Sequence, residues 1–179
     1  MARSAERGRT ALLDAGAALA DGDGLRALSV NAIVAQAGMA KGSFYQHFPS
    51  RKDYVIALHR RYHDHITEQV LAAVGHLPHG ADRLHAGVDA FLDACLETKG
   101  TKAFLAQART ETDLLDEVQS RNALVGAELA ADMVALGVEQ PEAKAHLVVA
   151  MVADISLQEL YDNEPRRDLR AALFALLGL

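Results

Sequence analysis

Residues 29–48 read SVNAIVAQAGMAKGSFYQHF, and few folds accommodate them. Val30 to Ala37 and Lys41 to Phe48 are each predicted to be a short helix, and helices of that length do not hold alone in water. Gly38 suits the left-handed turn that ends the first of them and reverses the chain. Val30, Ile33, Ala37, Met39, Phe44 and Phe48 are spaced to close a small core. Ser29 is placed to cap the first helix, its hydroxyl accepting from a free backbone N–H. The second helix is predicted to expose Lys41, Ser43, Gln46 and His47, with Tyr45 beside them. These are hydrogen-bond donors and acceptors, unlike the Glu/Lys mixture of an ordinary solvated face. Gly42 lets the start of that helix approach another surface closely. The helix start itself offers N–H groups and a positive dipole end to a phosphate. A helix-turn-helix needs this arrangement: one helix braced on the DNA backbone, the other entering the major groove.

The remaining sequence also reads as helix. Glu6 to Ala20 carries Leu12, Leu13, Ala15, Ala17, Leu19 and Ala20, and Asp21-Gly22-Asp23-Gly24 is predicted to stop it. After Pro49 and Ser50, a long helix from Arg51 to about Val74 has a stripe of Val55, Leu58, Tyr62, Ile66 and Val70. Gly75-His76-Leu77-Pro78-His79-Gly80 is a loop. Further helices are predicted over Ala81–Lys99, Lys102–Arg109 and Asp113–Leu136. Another begins at Pro141, which fits a first helical turn, and runs to about Tyr161; the last begins at Pro165. No strand alternation and no internal repeat is visible. The expected fold is all-α with about nine helices. A three-helix helix-turn-helix head occupies 1–50, and a helical body occupies 51–179, with 51–74 as the connecting helix.

Composition agrees with helix over sheet, since alanine is abundant, aromatics are 5% and tryptophan is absent. Half of the 179 residues are apolar, enough for a core and too many for a disordered chain. The single cysteine, Cys95, excludes an intramolecular disulfide and a cysteine zinc cluster. No run approaches the ~20 apolar residues of a membrane span. The first residues carry charge where a signal peptide needs an apolar segment. A cytoplasmic protein with no membrane association and no cofactor is expected. The net charge of -6 argues against nucleic acid only until it is divided. Residues 1–65 carry +3 and residues 66–179 carry -9. Phosphate attraction follows the local potential, so a basic head on an acidic body is compatible with DNA.

At this point the chain resembles a family. AGMAKGSFYQHFPSRKDYV is similar to the signature of TetR-type transcriptional regulators, with likeness over roughly residues 6–60. Three positions depart from the usual pattern: Leu25 after Gly24, Val34 in the second helix, and Arg51 where lysine is common. The resemblance implies that Lys41, Gly42, Ser43 and Gln46 contact bases or nearby backbone. It implies that Ser29, Tyr45, His47 and Arg51 meet phosphates, and that Asn31 reaches a base edge. Gln46 suits adenine and Lys41 suits guanine. Arg51 would position without specifying, and its replacement would lower the salt slope of binding.

The resemblance also implies a C-terminal domain that dimerises through its last two helices and holds a small-molecule pocket. Leu147 to Ala153 is apolar on all sides, which suits a helix covered on both faces, one of them by a second copy. Leu169, Leu173, Leu176 and Leu177 would complete that interface. Asp154 follows the run with Gln158 one turn on, and is expected to be a buried carboxylate in need of a partner. The partner is either an internal arginine such as Arg109 or the polar end of a ligand. Phe91, Cys95, Phe104 and Leu105 are pocket candidates whose alternative is plain core. With His63, the candidate ligand set is His63, Phe91, Cys95, Phe104, Arg109, Asp154 and Gln158. His59 and His63 have the i, i+4 spacing of paired metal ligands, with His65 close by. No further cysteine or carboxylate cluster completes a site, so a solvated face is the reading and no metal is expected. The function expected is a ligand-responsive regulator, a repressor binding a palindromic operator in double-stranded DNA as a homodimer. The chain is not expected to be an enzyme; the rival readings are a small all-helical enzyme or a protein-binding module that has lost DNA binding.

Overall fold

The computed structural model describes residues 2–23, 28–98 and 115–179. Every regular element among them is a helix: α1 (Ala2–Asp23), α2 (Val30–Gln36), α3 (Lys41–His47), α4 (Arg51–Val74), α5 (Ala81–Glu97), α6 (Leu115–Ala135), α7 (Pro141–Asp162) and α8 (Arg167–Leu177). The all-α expectation holds, with eight helices among the described residues against about nine predicted. The helix expected over Lys102–Arg109 lies outside those residues, as do Gly24 and Leu25. Two ends differ. Helix α1 continues through Asp21-Gly22-Asp23, so these residues do not stop it. Helix α8 begins two residues after Pro165, where Arg166 bonds Asp162 and Asp168 on either side of the bend. None of the helices described is long and apolar enough to cross a membrane.

The helices fall into two compact units. One contains α1, α2, α3 and α4 as far as Asp64; the other contains α4 from His65, α5, α6, α7 and α8.

In the first unit α1 packs on α2 and α3, and α2 on α3. Leu12, Leu13, Leu28, Ile33, Phe44, Phe48, Tyr54, Val55 and Leu58 are buried. Three rings meet at its centre. The centroids of Phe44, Phe48 and Tyr54 lie 5.0 to 5.6 Å apart, within the range where aromatic pairs attract. Tyr54 is completely buried, and its hydroxyl donates to the Leu12 carbonyl at 2.8 Å. Gly16 makes room for it: a Cβ there would lie 1.8 Å from the Tyr54 oxygen. Burial above all raises the Tyr54 pKa, against the opposing pull of Arg61.

The second unit has an aliphatic core of Leu84, Val88 and Leu92 on α5, Ala130 and Met133 on α6, Ala145, Val148, Val152 and Ile155 on α7, and Leu173 and Phe174 on α8. A buried ionic cluster fastens α7 to α8. Glu159 is only 1% exposed, and Arg170 grips it with two bonds of 2.7 and 2.9 Å. The Arg166 backbone N–H gives Glu159 a third bond, at 3.0 Å. Arg170 also reaches Asp93 at 2.9 Å and Asp89 at 3.1 Å on α5. Its bond to Glu159 is the main cause that holds the guanidinium charged, against burial. A second cluster forms around Asp132, which is buried on α6. It accepts from His79 Nδ1 at 2.7 Å and from Arg83 at 2.9 Å.

Candidate nucleic-acid interface

Local chemistry explains the helix-turn-helix. Ser29 caps α2, its hydroxyl accepting from the Ala32 N–H at 3.1 Å. At the other end Gly38 adopts φ +64°, which a side chain tolerates poorly. That turn lets Gly38 N–H reach the Ala35 carbonyl at 3.2 Å and Met39 N–H reach the Val34 carbonyl at 2.8 Å. These two bonds close the end of the helix and aim the chain into α3. Ser50 and Asp53 then start α4 by a reciprocal cap: the Asp53 N–H donates to the Ser50 hydroxyl at 3.2 Å, and that hydroxyl donates to the Asp53 carboxylate at 2.7 Å.

Helix α3 has two faces. Phe44 is buried, as is Phe48 at the helix end. Lys41, Gly42, Tyr45 and Gln46 are exposed together, as helical spacing of three and four residues requires. Tyr45 is an aromatic ring left half in water, its edge set against Phe44 at 5.3 Å. Among the described residues nothing lies within 4 Å of where a Gly42 Cβ would be, so none of their contacts demands glycine there. Ser43 is half-buried, while Ser29 and Asn31 are exposed at the start of α2.

Two residues of the expected set turn inward. The His47 ring lies over α1, where a Cβ on Gly8 would come within 2.5 Å of its Nε2. Arg51 is half-buried, and its Nε donates to the Leu28 carbonyl at 3.0 Å. Neither contact is legible in the sequence, since the partners are remote along the chain. Arg9 was also unanticipated in its place: its guanidinium lies 5.1 Å from the centre of the Phe48 ring.

The expected ligand residues are scattered in character. Cys95 is buried, Phe91 packs half-buried against the aliphatic core, and Gln158 is half-buried. Asp154 is exposed, contrary to the expectation of a buried carboxylate. The inward stripe of α7 runs through Val148, Val152, Ile155 and Glu159, and Asp154 lies off it. The buried acid is therefore Glu159. Phe104, Leu105 and Arg109 lie outside the described residues. The α4 histidines do not form the solvated face expected. His59 is 1% exposed, and the half-buried His63 ring lies 4.4 Å from it, centre to centre. His65 alone of the three is exposed, 2.9 Å from Gln69 Nε2. Among the described residues no group of three His, Cys, Asp or Glu is placed to hold a metal ion.

The architecture and the two-faced α3 define the class: a helix-turn-helix of the kind carried by DNA-binding transcriptional regulators. Residues 12–58 match the family described as bacterial regulatory proteins, tetR family. Three solved structures extend the likeness over the whole chain. A transcriptional regulator from Rhodococcus sp. Rha1 is 23% identical with a TM-score of 0.73, covering 98% of this chain and 94% of its own. The multidrug binding protein EbrR, complexed with imidazole, is 23% identical with a TM-score of 0.77, covering 96% and 90%. A TetR-like transcriptional regulator from Rhodococcus sp. RHA1 is 19% identical with a TM-score of 0.74, covering 95% and 92%. A comparison with curated proteins finds no match. Residues 12–58 thus match the tetR-family model, and the chain as a whole has the fold of TetR-type regulators.

Proposed function

We propose that the chain is a ligand-responsive repressor. It binds a near-palindromic operator as a homodimer and is released by a small-molecule effector. The observation that carries this reading is the exposed face of α3. Lys41, Gly42, Tyr45 and Gln46 lie together in water on a helix whose other side is fixed by Phe44 and Phe48. A glycine that no contact among the described residues requires is explained if another surface must come close. Lys41 and Gln46 read base edges; Tyr45, Ser29 and Asn31 set the head on the backbone and groove. In this reading residues 1–50 are the DNA-binding head, and residues 51–179, opening with the connecting helix 51–74, form the dimerising and effector-binding body.

The dimer reading is supported by large apolar side chains left in water on the last two helices: Leu147 at 59%, Tyr161 at 78% and Leu176 at 75% exposure. A second copy covering them removes apolar area from water with the symmetry usual for such pairs. The effector acts by binding one arrangement of the dimer better than the other. That a protein of similar fold binds multiple drugs supports a small organic effector.

The test is binding of the full chain to duplexes at several salt concentrations. Gln46→Ala is expected to lose about 1–3 kcal/mol on the preferred duplex and to relax the preference at one base position. Equal loss on every duplex removes its reading role. Leu176→Glu is expected to shift sedimentation from dimer towards monomer.

A further inference from the structure

The helix-turn-helix is closed into a ring by one hydrogen bond. Arg51 is the first residue of α4, and its Nε donates to the carbonyl of Leu28 at 3.0 Å. Leu28 is 1% exposed and immediately precedes Ser29, the residue that caps α2. The bond therefore joins the start of α2 to the start of α4, and everything between them is α2, the Gly38 turn, α3 and the Pro49-Ser50 bend. Both ends of the bond are themselves fixed. Ser29 bonds the first turn of α2 through its hydroxyl at 3.1 Å and its carbonyl at 3.0 Å, and Ser50 with Asp53 fixes the first turn of α4. Short helices gain their order from such tertiary ties, because they hold few bonds of their own. This tie joins residues 23 apart along the chain, on either side of α3, and adds to the packing of Phe44 and Phe48 that holds the exposed face of that helix.

We infer that Arg51 is a positioning residue, whose part in DNA binding runs through the Nε bond to Leu28 and not through its charge on a phosphate. The inference rests on the DNA-binding reading proposed above. Arginine is suited to the task. Its Nε is a directed, planar donor close to the backbone, whereas a lysine carries its donors at the mobile tip of a longer stem.

Arg51→Gln separates the two roles. The amide nitrogen of glutamine stands the same number of bonds from the backbone as Nε, and it brings no charge. The full chain and its Arg51→Gln, Arg51→Lys and Arg51→Ala variants are titrated against the duplex that the unaltered chain enriches from a random pool. Arg51→Ala is expected to lose about three- to tenfold in affinity. Arg51→Gln is expected to recover most of that loss at an unchanged salt slope, and Arg51→Lys to recover less. The inference is overturned if Arg51→Gln is as weak as Arg51→Ala, Arg51→Lys binds as the unaltered chain does, and each neutral variant loses about one unit of slope. Hydrogen exchange of the α2 amides needs no DNA and keeps the two readings apart. Faster exchange in Arg51→Ala, restored by Arg51→Gln, upholds the tie even where no duplex is selected. Equal exchange in all forms overturns it.

Discussion

The two units of this chain are built on opposite plans. The first closes around three aromatic rings and a phenol hydroxyl aimed at a backbone carbonyl, with glycines placed where rings must fit. The second closes around aliphatic side chains and holds two buried carboxylates in ion pairs, Glu159 with Arg170 and Asp132 with Arg83. A ring core with a fitted glycine tolerates little change of shape. An aliphatic core is more tolerant of shape, while a buried charge there must find its partner. The plan matches the proposed division of labour. A head that reads DNA must hold α3 at one angle, while an effector-binding body gains from a core that repacks.

The comparison is broken most sharply by removing one ion. Arg170→Ala leaves Glu159 buried without its guanidinium and is expected to cost about 3–5 kcal/mol, measured by denaturant unfolding. Replacing Glu159 and Arg170 together by leucine and methionine is expected to restore much of that loss, since apolar packing replaces a buried pair well. A pair change no better than the single one would show that the cluster stabilises beyond compensating its own charges.

Two glycines give effects of opposite sign. Gly16→Ala drives a methyl into the Tyr54 hydroxyl and is expected to cost about 2–3 kcal/mol. Gly126→Ala, on α6 with nothing among the described residues within 4 Å of the added carbon, is expected to stabilise by about 0.5–1 kcal/mol through lost freedom of the unfolded chain. Destabilisation at both positions would mean that the second unit is as tightly fitted as the first.

Tyr54 adds a pH signature confined to the first unit. Its pKa is raised above 10.0 by burial, so the folded state holds the phenol proton more tightly than the unfolded state. Its contribution is complete below pH 10 and is lost as pH rises above that value. Tyr54→Phe is expected to cost about 1 kcal/mol at neutral pH and to flatten the alkaline loss. At the other extreme, Asp168 in the second unit is held at about 2 by its bond to Arg166. Its small contribution is present above the ordinary value of 3.8 and fades as pH falls through about 2. Asp168→Asn is expected to remove that acid-side fall and change little else.

The sequence made local structure legible and left long contacts hidden. Ser29, Gly38 and the span of α4 were visible because caps and turns depend on neighbours within four residues. On α3 the expected exposure of Lys41, Tyr45 and Gln46 is seen, whereas Ser43 and His47 are half-buried. His47 over Gly8 and Arg51 on Leu28 were invisible, because each joins residues that only the fold brings together. In the second unit the apolar run of α7 suggested Asp154 as the buried acid. The phase of Val148, Val152 and Ile155 leads instead to Glu159, with Arg170 eleven residues on. Reading phase rather than adjacency finds it. The same phase places His59 inward, four residues after Val55 and three before Tyr62, but its charged neighbours Arg60 and Arg61 masked it.

The central claim is that the α3 face reads DNA. Selection of duplexes from a random pool by the purified full chain at moderate salt tests it most directly. The account predicts an enriched near-palindrome whose half-sites lie about one helical turn, or a small multiple, apart. Recovery of the input pool without enrichment, while the chain remains folded and dimeric, would contradict it.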